Sequence, residues 1–134
     1  MITDYVCGFL FKGENADRVV LIRKNKPEWQ AGNLNGVGGK VEPAELALDA
    51  MKREFKKETG ANFHDWKRFC TLDGPGHRVI FFRGLDPYNL IGVSSCTEEE
   101  VGIYSCDNLS GTIRNLHWLI PLALFGEIVQ MRYA

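Results

Sequence analysis

The sequence predicts a mixed α/β or α+β domain, and three observations carry that prediction. β-type segments fall on both sides of a strongly patterned helix, and a second helix closes the chain. At 134 residues, with 45% hydrophobic and 25% charged side chains, the chain is long enough for a core without staples. A single domain over residues 1–134 is therefore expected.

"YVCGFLFK" reads as a strand, "GENAD" as a turn and "RVVLIRK" as a second strand, where β-branched and aliphatic residues run together. "NKPEWQAGNLNGVGG" is rich in Gly, Asn and Pro and reads as a long loop, a kind that often carries function. The stretch Gly39 to Gly60 reads as one helix, with Pro43 in its first turn and Gly60 as its stop. Leu48, Met51 and Phe55, at i, i+3 and i+7, are its expected buried stripe. "WKRFCTLDG" and "HRVIFFRG" are two strands around a Pro-Gly turn. "LDPYNLIGVSSCTEE" is a second long loop, "EVGIYSC" a strand and "DNLSGTIRN" a turn region. "LHWLIPLALFGEIVQM" is the closing helix, starting around Leu116 to Leu119 so that Pro121 falls near its first turn.

Composition excludes several classes of function. A net charge of -1 creates no field that recruits nucleic acid polymers or membranes. No apolar run is long enough to span a bilayer, and the N-terminus lacks the basic start of a signal peptide. Cys7, Cys70, Cys96 and Cys106 show no metal-ligand spacing and read as reduced thiols of a cytoplasmic protein. His64, His77 and His117 are given no role.

The chemistry concentrates on the first helix. Glu54 and Glu58 are one turn apart and about 40° apart around its axis, with Lys57 on the same side. Two carboxylates that close repel unless a cation or a proton lies between them. They form either a solvated acidic face, with Lys57 as a surface partner, or an ion site. Small Ala47 and Ala50 on the preceding turns favour the second reading, as do the upstream glycines of "NGVGGK". Two carboxylates and a backbone carbonyl suit a hard ion such as Mg²⁺, which completes its shell with water and substrate phosphates. Asp49 and Arg53 form a favourable i, i+4 pair, and a fixed Arg53 would orient Glu54.

From Gly39 to Ala61 the chain resembles the signature of the Nudix hydrolases, G-x5-E-x7-R-E-U-x-E-E-x-G-U, with U a bulky apolar residue. The matching residues are Gly39, Glu45, Arg53, Glu54, Phe55, Glu58 and Gly60; Lys57 replaces the first acid of the E-E pair, and Ala61 is small for the last U. The resemblance implies an α/β/α sandwich around a mixed sheet. It also implies hydrolysis of a nucleoside diphosphate linked to another group, with water attacking a phosphorus assisted by Mg²⁺ or Mn²⁺. Carried across, Glu54, Glu58 and the Gly38–Gly39 backbone are the metal ligands, with Glu54 either a ligand or the base, and Arg53 joins the catalytic set.

Lys57 offers charge without coordination, either in the space of one ion or against a substrate phosphate. Its presence predicts weakened rather than absent hydrolysis. "TEEEV" offers a further acid from the second loop: Glu98 and Glu100 would share a face if the segment is extended, and a solvated charge run is the alternative.

"NLNGVGGKVE" also resembles the segment N-G-F-G-G-K-V of MutT-like oxidised-purine nucleoside triphosphatases within that family. This resemblance places Asn35, Gly38 and Lys40 at the substrate, with Asn35 reading a purine edge unless it only shapes a turn. In the C-terminal "TIRNLHWLIPLAL", aligned on Pro121, the base-pairing acid of that subgroup falls on Asn115 and its stacking tryptophan on Ile113. Trp118 and Trp29 remain candidates for stacking a base, or for anchoring core and loop. Arg23 is a candidate phosphate contact or a plain surface arginine.

Three functions follow from the resemblance: a Mg²⁺-dependent nucleoside triphosphate pyrophosphohydrolase, an ADP-ribose or dinucleotide pyrophosphatase, or a nucleotide-binding module without turnover. The expected partner is a nucleotide, and the expected state is a monomer or homodimer.

Overall fold

The protein is described by a computed structural model over residues 2–126 and 129–132. Its backbone is one mixed sheet with a helix on each face. Strand β1 (Thr3–Lys12) is central. Along one edge it pairs in parallel, over its whole length, with β6 (His77–Asp86). Its other edge is shared: Leu10 to Lys12 pair with β2 (Arg18–Arg23), and Tyr5 to Gly8 pair with β4 (Val37–Lys40). Strand β3 (Leu34–Asn35) and β7 (Glu100–Ser105) flank β2, and β5 (Lys67–Gly74) lies between β6 and β8 (Val129–Arg132).

Alternation along β1 builds the two layers, because successive side chains of a strand point to opposite faces. Cys7, Phe9 and Phe11 join Leu116, Leu119, Ile120 and Ala123 of helix α2 (Leu116–Phe125) in one cluster. Val6 and Leu10 join Ala50, Met51 and Phe55 of helix α1 (Ala47–Thr59) in the other. The expected α/β/α sandwich is the observed one. Phe55 and Leu119 have no exposed surface, and full burial of such side chains is worth about 1.5–3 kcal/mol each.

Several expectations at element level are corrected. Helix α1 begins at Ala47, not Gly39; Gly39 belongs to β4, and Pro43 lies in the turn before the helix. Leu48 is 37% exposed, so the buried stripe is Ala50, Met51, Glu54, Phe55 and Glu58. Gly60 does stop the helix, in the left-handed conformation with φ 78° and its N–H on the Lys56 carbonyl. The Gly- and Asn-rich stretch before the helix is not all loop. It holds a short 3-10 helix (Glu28–Gln30) and both β3 and β4. Its glycines serve close approach: a Cβ on Gly38 would sit 1.9 Å from the Val6 carbonyl oxygen, so only glycine lets β4 lie this near β1.

Helix α2 starts at Leu116 as expected, but Pro121 falls in its second turn and the helix ends at Phe125. Val129–Arg132 is a strand in parallel with β5, not further helix; Glu127 and Ile128, within the expected helix, lie outside the described residues.

The loop after β6 is anchored along its length. Lys12 and Asp86 form a buried ion pair at 2.6 Å, and Asp86 also accepts the Leu90 and Ile91 amides at 2.9 Å. Further on, the Ser94 amide donates to the Thr59 carbonyl and the Cys96 amide to the Glu58 carbonyl. The loop is thereby pinned to the C-terminal turn of α1.

Candidate active site

The end of β4 and the inner face of α1 meet at two buried carboxylates. Glu54 is 5% and Glu58 8% exposed. Glu54 lies against the backbone of Gly39: a Cβ there would come within 2.6 Å of the Glu54 Oε2. That contact explains why position 39 in β4 is a glycine.

Arg53 holds Glu54. Its Nη1 donates to Glu54 Oε1 at 2.6 Å, its Nε and Nη2 form a fork on Glu45 at 2.8 and 2.9 Å, and Nη2 also reaches the Lys40 carbonyl at 3.0 Å. The anticipated pair with Asp49 is replaced by these contacts. Hydrogen bonds from Arg53 and from the Glu42 amide hold the Glu45 carboxyl below its ordinary pKa, and the Glu45 contact leads in raising that of Arg53. Its guanidinium is committed to three protein groups, Glu45, Glu54 and the Lys40 carbonyl, and so fixes the Glu54 carboxylate. Glu45, just before the helix, is the partner that spacing along a helix could not reveal.

Glu58 is held from the other side. Thr97 Oγ1 donates to Glu58 Oε2 at 2.7 Å. Glu98 and Glu100 are exposed, and among the described residues no cluster of three or more His, Cys, Asp or Glu could hold a metal. The inward acid of that run is Glu99, which accepts from Lys24 Nζ at 3.0 Å and from the Asn25 amide at 2.6 Å. Burial raises its pKa, but the Asn25 amide and Lys24 outweigh that and keep it below the ordinary value. Lys57 is exposed and forms no ion pair among the described residues.

Among the described residues no protein donor reaches Glu54 Oε2 or Glu58 Oε1. Two open carboxylate oxygens on one helix face, that of Glu54 beside the Gly39 backbone, are a donor set for a divalent cation that keeps water and phosphate in the rest of its shell.

The expected substrate residues are more dispersed. Asn35 is largely committed: its Oδ1 accepts the Gly36 amide at 2.7 Å and faces the Cys7 thiol at 3.8 Å, while its Nδ2 donates to Gln30 at 2.9 Å. Burial pushes the Cys7 thiol up to about 12, so it stays neutral. Arg23, the candidate phosphate contact, donates to the Gly32 carbonyl at 2.9 Å and so braces the loop after β2. Lys40 is exposed at the end of β4, and Gly38 lies two residues before it, on the Val6 backbone. Leu34 exchanges backbone bonds with Gly111 and Ile113, which brings the segment before α2 beside β3. Asn115 stands at the N-terminal flank of α2 without a side-chain capping bond, and its buried Oδ1 has no hydrogen-bond partner among the described residues. Trp118 is 37% and Trp29 69% exposed, and Ile113 is core.

The family model for the NUDIX domain matches residues 1–119. The chain belongs to the NUDIX domain family. That membership supports a pyrophosphohydrolase enzyme, the class implied by the Gly39 to Ala61 signature. Solved structures share the fold. A mutator MutT protein from Bacillus halodurans is 18% identical with a TM-score of 0.73, covering 98% of this chain and 90% of that one. The MutT NUDIX hydrolase from Burkholderia pseudomallei is 18% identical with a TM-score of 0.70, covering 92% and 96%. The NUDIX domain of Shewanella oneidensis NrtR, solved with ADP ribose, is 17% identical with a TM-score of 0.74, covering 92% and 86%. Among curated proteins, none matches this sequence. No helix among the described residues is long and apolar enough to cross a membrane.

Proposed function

We propose that this NUDIX protein is a metal-dependent nucleoside di- or triphosphate pyrophosphohydrolase of MutT type, converting a nucleoside triphosphate to the monophosphate and pyrophosphate. One observation carries the reading: Glu54 and Glu58 are buried on one face of α1, each with one oxygen held by the protein and one left open. Glu54, Glu58 and the Gly39 backbone would hold the cation, Mg²⁺ or Mn²⁺. When bound, it would supply charge stabilisation to a phosphoryl oxygen.

The chain's own residues supply orientation. Arg53 and Glu45 fix the Glu54 carboxylate, and its one open oxygen, Oε2, would serve either as a cation ligand or as the base that accepts a proton from the attacking water. A new P–O bond forms as the bridging P–O bond breaks, and pyrophosphate leaves. Exposed Lys57 stands where the family signature has an acid, and it is a point charge for a phosphate rather than a ligand. Four free cysteines fit a protein working in the reducing cytoplasm, as a monomer or homodimer.

A second reading, ADP-ribose hydrolysis, draws on the ADP-ribose complex of the NrtR neighbour. The test is pyrophosphate and phosphate release from a panel of nucleoside triphosphates, diphosphates and ADP-ribose, with Mg²⁺ and Mn²⁺ titrated. Turnover of a triphosphate to pyrophosphate, lost in Glu58→Gln, supports the first reading. Turnover of ADP-ribose alone supports the second. Ligand binding without any turnover refutes both and leaves a binding module.

A further inference from the structure

We propose that Thr97 is a positioning residue for Glu58, and that the loop after β6 fixes the orientation in which the Glu58 carboxylate meets the cation. The inference deepens the proposed function and rests on it.

Thr97 lies 39 residues from Glu58 in sequence, yet its hydroxyl is 2.7 Å from Glu58 Oε2. The direction of that bond is determined by a second one. The Glu99 amide donates to Thr97 Oγ1 at 3.2 Å, so the oxygen is already an acceptor and its own proton points at the carboxylate. Glu99 is in turn fixed at both oxygens, by Lys24 Nζ and by the Asn25 amide, at the end of β2. On the other flank, the Cys96 amide donates to the carbonyl of Glu58 itself. The loop therefore grips both the backbone and the side chain of one residue, with its far end tied to the sheet through Lys24.

A carboxylate on a helix has a soft terminal torsion. With Oε2 committed to Thr97, Oε1 is the oxygen left for a ligand, and the ring of contacts holds that orientation before any ion arrives. Partners of this kind behind a metal ligand typically change affinity by about 10–100-fold when removed. The loop thus supplies a hydroxyl that acts on the ligand from behind.

The test uses Mn²⁺ alone, with binding read from the EPR signal of the free ion in the absence of nucleotide. It is paired with kcat and KM for the best substrate of the panel. Thr97→Val is expected to weaken Mn²⁺ binding by about 10-fold or more and to lower kcat more than KM changes. Thr97→Ser, which keeps the hydroxyl, restores most of the binding. In a Glu58→Gln background, Thr97→Val adds no further loss, because the two act as one unit. Lys24→Met loosens the same loop at its far end and shifts Mn²⁺ binding in the same direction.

Thr97 is exposed, so Thr97→Val is expected to keep the wild-type thermal midpoint. Wild-type Mn²⁺ affinity in both Thr97→Val and Lys24→Met overturns the inference while leaving the proposed function standing. So does an equal further loss on adding Thr97→Val to Glu58→Gln. A wild type that neither binds Mn²⁺ nor turns over any nucleotide overturns the proposed function, and this inference with it.

Discussion

Lys12→Met tests the anchor beneath the active-site loop. Lys12 and Asp86 are 3% and 4% exposed, and Lys12 Nζ lies 2.6 Å from both Asp86 Oδ2 and the Ile91 carbonyl. Methionine keeps the length of the side chain, so the substitution removes charge and hydrogen bonds without opening a large cavity. What it leaves is a buried carboxylate with no cation. Breaking a buried pair from one side costs about 3–5 kcal/mol. The Leu90 and Ile91 amides still donate to Asp86 at 2.9 Å, which puts the expected loss at the low end, about 3 kcal/mol.

Urea unfolding is the assay. With a slope of about 1–3 kcal/mol per molar, the midpoint should fall by roughly 1–3 M at pH 7. Hydrogen exchange should show the loss concentrated at the Leu90 and Ile91 amides. The pH dependence carries a sign. Burial raises the Asp86 pKa, but Lys12 and the two amides outweigh that and hold it below the ordinary value. As pH falls, the unfolded state therefore takes the proton first. The stabilisation is complete above about pH 4 and is lost as pH drops through the lower folded value. Wild type should lose more stability than Lys12→Met across that acid range. A loss below about 1 kcal/mol at pH 7, the scale of an exposed pair, would refute the claim that the pair anchors the loop.

Other outcomes follow from the site. Gly39→Ala would push a methyl into the Glu54 carboxylate; turnover should fall by about 100-fold, as misplacement near the reacting centre does, and a wild-type rate would refute the contact. Arg53→Lys cannot reproduce the fork on Glu45 together with the bond to Glu54; kcat should drop with KM little changed, and an unchanged kcat would count against positioning. Glu58→Gln should abolish turnover in the nucleotide panel. Lys57→Glu should raise turnover or shift the metal optimum, and a neutral result would remove Lys57 from the site.

How much of this was legible before folding depends on how local each signal is. The helix with Arg53, Glu54 and Glu58 could be read directly, because the spacing of residues on a helix is fixed by its geometry. The strands Thr3–Lys12, Arg18–Arg23, Lys67–Gly74 and His77–Asp86 were visible in their apolar runs. Boundaries misled where glycine had two meanings. Gly38 and Gly39 suggested loop and helix start, yet they are strand residues whose missing side chains make room for the Val6 carbonyl and the Glu54 carboxylate.

By itself the sequence determined the fold class, the helix that carries the acids and the family to which the chain belongs, because each rests on periodicity or fixed spacing along one segment. Tertiary structure alone decided what surrounds those acids. Glu45 in place of Asp49 on Arg53, Thr97 behind Glu58, and Glu99 turned onto Lys24 are contacts between segments distant in the chain or outside helical register. Such contacts depend on where the sheet sets each loop, and no local pattern encodes that position.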